Sequence, residues 1–358
     1  MVSILYYNFV VKSTSNRKIR KISLTIKEYK QMELSYENLK NNPKTFRAFT
    51  GFDVGEFQIL LRAFTIAWEK YVQQHRLPLE IRQRVYGGGR KARLATYEDK
   101  LLFILVYFKI YPLQEVLAFH FDMSQGQACQ WIQILSEVLL QTLAELGQLP
   151  ERDPQNVKER LETYINESHS EHEADSETSP KMESMESFAI DGTERRRQRP
   201  KDQEKQKRFY SGKKKCHTVK NNVIVTLGKR RVEYLGNTWG GKKHDKSICD
   251  LEKHEFPEGS TLYKDTGYQG YEPAGVNTRQ PKKKPRGGEL TLDEKEQNSL
   301  ISKLRVIVEH VICGVKRCRI VKDVFRNTKD GFDDLVMEIA CGLHNFRTAY
   351  RIGETFNV

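Results

Sequence analysis

Between Glu167 and Pro180 the chain reads ESHSEHEADSETSP, a run that is acidic, rich in serine and almost free of large apolar side chains. Such a run cannot bury enough apolar surface to offset the entropy of ordering it. It divides the 358 residues in two, in keeping with the roughly 100–200 residues of a typical domain. Before it, apolar residues recur mainly at helical spacing; after it, short Val- and Ile-rich stretches alternate with helical ones. An acidic linker is therefore expected over residues 151–186, with the domain boundary inside it.

The first part is helical in pattern. Residues 1–95 are mixed. Within them Asp53 to Gln74 sets Phe57, Leu60, Leu61, Phe64 and Trp68 on one helical face, and Gly87 to Arg93 (GGGRKAR) makes a basic hinge. Residues 96–150 predict three helices. Thr96 and Asp99 stand at capping-box spacing before the first, Pro112 ends it, and Leu113 to Phe121 gives a short second one. Ser124 caps the third, which carries Ala128, Trp131, Leu135 and Val138 on one face and Gln127, Gln130 and Gln133 elsewhere. Three such helices suggest a helix-turn-helix. Glutamine can pair bidentately with adenine in the major groove, so Gln127, Gln130 and Gln133 are candidate base readers. A plain helical bundle would show the same pattern, and this helix has no Lys or Arg.

Charge narrows the partner. Lys and Arg outnumber Asp and Glu by 60 to 47, a net charge of +13, which suits an anionic partner. The most apolar run, Leu101 to Ile110, is too short for the about 20 residues of a membrane span, so nucleic acid is favoured over a membrane. No signal-peptide pattern is present at the N-terminus. The six cysteines include no Cys-x-x-Cys pair, as expected for reduced thiols in a cytoplasmic protein, or a nuclear one in a eukaryotic host.

The second part, residues 187–351, predicts strands ending at Asp191 and Asp265, further strands over His217–Leu227 and Val232–Thr238, and a long helix over about 292–321. Asp before glycine is common turn chemistry, yet carboxylates at strand ends can also share a cleft. Glu309 lies on the long helix, on a polar stripe with Asn298, Ser302, Arg305 and Lys316 apart from the apolar face of Leu300, Leu304, Ile307 and Val311. An Arg305–Glu309 surface pair is the bland alternative. Three carboxylates would serve phosphodiester chemistry. Two magnesium ions about 3.5–4 Å apart stabilise attacking and leaving oxygens, and need only a few oxygen ligands.

Longer motifs surround these acids. They are Asp191-Gly192-Thr193-Glu194 with Tyr210-Ser211-Gly212-Lys213-Lys214-Lys215 and His217; Lys264-Asp265-Thr266-Gly267-Tyr268-Gln269-Gly270; and Lys282-Lys283-Lys284-Pro285-Arg286-Gly287 with Asn298, Arg305, Val308-Glu309-His310 and Lys316. In order and composition they resemble the catalytic blocks of DDE-superfamily insertion-sequence transposases, the IS-five-like group with eukaryotic relatives in the Harbinger class. The resemblance spans about residues 95–350.

It implies a mixed-sheet, α/β ribonuclease-H-like catalytic domain preceded by an all-α helix-turn-helix region. It also implies Asp191, Asp265 and Glu309 as catalytic and metal-binding residues for two Mg2+ (or Mn2+) ions. The implied partners are double-stranded DNA, as terminal inverted repeats and target, and further copies of the chain. Asp245 is a rival second acid, although its place before a helix suggests an N-cap. Arg195 to Lys220 holds twelve Lys or Arg, and Lys213, Lys214, Lys215, Arg305 and Lys316 are expected to touch phosphates. A nuclease of the same fold that only hydrolyses DNA, or a non-catalytic derivative, remains an alternative.

Overall fold

A computed structural model describes residues 34–75, 92–172 and 186–356. Most of the basic hinge, all of 173–185 and residues 1–33 lie outside these. The helical part comprises α1 (Tyr36–Leu39), α2 (Pro43–Thr50), α3 (Val54–His75), α4 (Tyr97–Ile110), α5 (Gln114–His120) and α6 (Gln125–Glu145). Thr96 caps α4 by accepting from the Asp99 amide, and Ser124 and Gln127 form a complete capping box at α6. The apolar stripe expected on α3 is buried throughout, and α4 is buried almost all round. Among the described residues no helix is long and apolar enough to cross a membrane.

The next element departs from expectation. Residues 154–156 form a 3-10 turn and α7 (Val157–His172) follows, inside the segment read as linker. Val157, Leu161 and Tyr164, at spacings of four and three, sink into a core cluster. The acidic composition of the whole segment masks this short apolar stripe. The acidic run itself falls on the end of α7 and on residues outside those described.

The second half opens with β1 (Ser187–Arg196). Then come α8 (Gln203–Phe209), β2 (Tyr210–Ser211), β3 (Cys216–Thr226), β4 (Val232–Leu235), β5 (Trp239–Gly240), α9 (Asp245–Glu252), β6 (Thr261–Lys264), β7 (Asn277–Arg279), α10 (Leu292–Val315) and α11 (Phe332–Arg351). The sheet runs β2-β3-β1-β6-β7, with β4 and β5 also paired to β3. β1 is antiparallel to β3 and parallel to β6. This mixed sheet between helices is a ribonuclease-H-like arrangement.

Side-chain alternation separates the two sheet faces. Phe188 and Ile190 enter a cluster with α7, Cys249 of α9, Leu262 and Tyr268. Ala189 enters the other cluster with Val308, Val311 and Val315 of α10 and with α11. That second cluster continues without a break into α3, α4 and α6, so the helical region and the sheet-bearing half share one core. The six cysteines carry no disulfide.

Candidate active site

The parallel pairing of β1 with β6 stops at Ile190 and Lys264. Asp191 and Asp265 are the next residue on each chain segment. β1 does not end there, as the sequence pattern suggests, but runs on to Arg196 paired only with β3. Asp265 keeps an extended backbone. Alternation therefore turns both carboxylates to the face of Ala189, the face that α10 covers. Lys264, buried and paired with Glu272 at 2.6 Å, points the other way.

α10 answers with cations. Arg305 Nη1 lies 3.4 Å from Asp265 Oδ1 and also acts on Asp191. Lys316, half-buried just past the helix end, feels Asp191 and Lys214, while burial holds its ammonium below the usual range. At 100° per residue Glu309 falls on the same stripe, between Arg305 and Lys316. Its side chain is exposed. Thus Asp191 and Asp265 are brought together, and Glu309 approaches from the helix without closing on them. Among the described residues no three acidic, histidine or cysteine side chains already converge as a metal-binding group.

Burial pushes the Asp191 carboxyl up from 3.8 to about 6, with Asp265 and Asp245 adding to the shift. The Gly192 amide, donating to Asp191 Oδ1 at 2.8 Å, and Arg305 oppose it. Oxygen donors of this kind suit a hard divalent cation, which would relieve the charge strain that Arg305 offsets in part.

Asp245 is not the N-cap expected for α9. His244 holds that position without a side-chain cap bond, and Asp245 is the first helical residue. Its Oδ1 accepts from Lys220 Nζ at 3.1 Å. A Cβ on Gly192 would sit 3.3 Å from that same oxygen. Gly192 has the parity of Ile190, so Asp245 approaches β1 from the face opposite Asp191, where a Cβ at position 192 would crowd it.

Residues 190–345 match the family model described as "DDE superfamily endonuclease", and residues 92–145 match "Helix-turn-helix of DDE superfamily endonuclease". Both matched segments are of the DDE superfamily. A relative from Microchaete diplosiphon, described as "Probable transposase for insertion sequence element IS702", is 27% identical over 264 residues, which cover 74% of this chain and 84% of that protein. No solved structure matches.

The helix-turn-helix matched by the DDE family model is α4 to α6. Gln130 and Gln133 are exposed on α6. Gln127 is engaged differently: its Oε1 accepts from the Ser124 amide at 3.0 Å, closing the capping box. Trp131 is half-buried against Trp68, and Ile132 and Leu139 join the buried face.

The basic run after Asp191 divides into two kinds. Arg195 is buried and donates to the Asp333 carbonyl and to Asn221 Oδ1 at 2.7 Å, and Arg197 packs over Phe209 beside Asp333. These two are structural. Lys213, Lys214 and Lys215 sit exposed in the β2–β3 turn. The two tyrosines also part company. Tyr268 is a core residue donating to Asn222 Oδ1 at 3.0 Å, whereas Tyr210 is 43% exposed. Asn298 holds the second basic segment on α10 by bonding both the amide and the carbonyl of Lys282. Lys220 and Asn221 belong to the first family-like motif, but nothing in the sequence ties Lys220 to Asp245, whose carboxylate it holds.

Proposed function

We propose that this DDE-superfamily chain cleaves DNA at the ends of a transposable element and joins those ends to target DNA. Asp191, Asp265 and Glu309 would hold two divalent ions, magnesium or manganese. The observation that carries this reading is the juxtaposition of Asp191 and Asp265 on one sheet face, under the helix stripe that bears Arg305, Glu309 and Lys316.

Bound there, two divalent ions stabilise the attacking and the leaving oxygen of a phosphoryl transfer. The chain's own residues do the rest. The extended backbone at Asp191 and Asp265 fixes two carboxylates on neighbouring strands, and α10 brings the third. Arg305 and Lys316 offer positive charge to the phosphates flanking the cut. Lys213, Lys214 and Lys215 extend that charge along the DNA, and Gln130 and Gln133 present amides to base edges. Gln127 contributes by shaping the start of α6. Two element ends must be joined in one event, so a multimer of the chain on DNA is the working form. Its place of action is wherever the element's DNA lies.

The test mixes purified chain, magnesium and DNA carrying the element's own ends. Joined molecules support transfer; cut fragments alone would leave a hydrolytic nuclease. Asp191→Asn, Asp265→Asn and Glu309→Gln should each reduce both products by orders of magnitude, because loss of one ion removes several kcal/mol of transition-state stabilisation. Near-normal cleavage by any of the three variants would reject that residue's assignment. Binding over a salt series, with Lys213 to Lys215 or Gln130 and Gln133 changed to Ala, separates backbone from base recognition. Every phosphate that is no longer neutralised takes about 0.9 from the log–log salt slope, while removing a base pairing costs about 1–3 kcal/mol of discrimination.

A further inference from the structure

A second surface lies apart from the carboxylates. A groove of about 650 Å³ is lined by Arg199, Lys207, Tyr210, His217 and Lys242. Lys242 also borders a neighbouring groove of about 440 Å³ with Arg208, Trp239 and Lys243. Among the described residues no acid lines either one. The wall between them is built closely. A Cβ on Gly240 would stand 2.4 Å from the Arg208 carbonyl oxygen, so only glycine in β5 lets the end of α8 lie against it.

Both grooves present aromatic faces among cations. The Tyr210 ring meets the His217 edge at 5.7 Å and 70°, which braces the ring while 43% of the residue stays exposed. Trp239 carries Lys243 over its ring at 4.5 Å. β3 joins this surface to the acidic site directly: His217 pairs with Tyr210, and Val223, further along the same strand, pairs with Asp191. Lys220 pairs in register with Trp239, and its Nζ bonds both the Lys243 carbonyl and Asp245.

We propose that this surface holds an unpaired nucleotide of the DNA strand leaving the active site, its base against Tyr210 and its phosphates on Arg199, Lys207 and Lys242. The inference rests on the reading of DNA as substrate. A duplex keeps its base faces stacked inside and offers only its backbone and groove edges. An exposed tyrosine ring within a basic groove has a use for a base only when that base is unstacked. The volume is also that of a pocket for one small ligand rather than a channel for a helix.

The experiment uses the full chain with a chelator, so that metal chemistry plays no part. Binding is compared between a blunt duplex of the element's end and the same duplex with a three-nucleotide single-stranded extension carrying 2-aminopurine. The unaltered chain should prefer the extended DNA by roughly fivefold to a hundredfold, the range that stacking of one base gives, with quenched 2-aminopurine fluorescence. Tyr210→Ala should erase the preference and the quenching, and Tyr210→Phe should keep both. Lys207→Ala and Lys242→Ala should weaken binding of the extended DNA more than of the blunt duplex. Equal affinity of the unaltered chain for the two DNAs, or an equal loss on both with Tyr210→Ala, overturns the proposal while leaving the transposase reading intact. Failure to bind any DNA overturns both.

Discussion

Asp191 and Asp265 ride on paired strands, and Glu309 rides on a helix. The strand acids are fixed by the backbone register of β1 and β6, and burial raises the pKa of Asp191 to about 6. The helix acid is exposed, and its position depends on how α10 packs through Val308, Val311 and Val315. The energetic consequence falls on Asp191, which stores electrostatic cost in the metal-free state.

The largest effect that separates the two is on stability. The folded Asp191 carboxyl titrates at about 6 against an ordinary 3.8. The folded chain thus keeps a proton that the unfolded chain has released, and between those pH values rising pH costs stability. The cost is complete above about pH 6 and absent below the unfolded value. An amide at this position removes it and can still accept the Gly192 N–H. We expect Asp191→Asn, melted in chelator at pH 7.5, to be more stable than the parent by on the order of 1–3 kcal/mol, with the gap shrinking toward pH 4. Glu309→Gln should melt with the parent. Magnesium should raise the melting temperature of the parent more than that of the Asp191→Asn variant. If Asp191→Asn proves no more stable than the parent, the strand acid is not strained, and the contrast collapses.

Why the contrast is only half legible in the sequence follows from particular residues. Small residues after Asp191 and Asp265 mark both acids, and the apolar spacing of α10 places Glu309 on a polar stripe. Strand register and face are tertiary facts: nothing local says that β1 continues past Asp191 or that Lys264 points away from Asp265. Helical spacing puts Leu300 on the buried face of α10, yet it is 60% exposed because packing against the sheet begins only further along the helix. Capped helices such as α4 and α6 are legible because caps are local chemistry. α7 is hidden by its acidic neighbours, and the continuous core joining α3, α4 and α6 to α10 and α11 depends on packing between distant segments.

Asp245 sharpens the comparison at a middle scale. It lies near both strand acids but reaches β1 across Gly192 from the opposite face, held by Lys220 at 3.1 Å. An acid on the opposite face of the sheet would not share ions held by Asp191 and Asp265, although it adds to the upward shift at Asp191. Asp245→Asn should lower cleavage by no more than about tenfold, which is about 1.4 kcal/mol, against the orders of magnitude expected at Asp265. A loss at 245 equal to that at 265, measured on folded protein, would move Asp245 into the metal set and break the two-plus-one arrangement.

The smallest effect concerns the bridge between strand and helix. Arg305 and Asp265 are 26% and 39% exposed and 3.4 Å apart, so their pairing contributes about 0–1 kcal/mol. In the metal-free chain Arg305 supplies part of the positive charge that the strand acids need, and a divalent ion must compete with it. Arg305→Ala should leave the melting temperature nearly unchanged and tighten magnesium binding by up to about fivefold, the equivalent of about 1 kcal/mol. Following the melting temperature against magnesium concentration, without DNA, reads this directly. A DNA titration of the same variant over a salt series reads the other side: an Arg305 side chain seated on a phosphate adds about 0.9 to the slope, and its removal takes that amount away. Tighter metal with an unchanged slope would make Arg305 a placeholder for the ion alone. A flatter slope with unchanged metal binding would make it a DNA-binding residue alone. Both changes together are the expected result, because an arginine that neutralises Asp265 in the empty site is free to turn to the phosphates once the ions arrive.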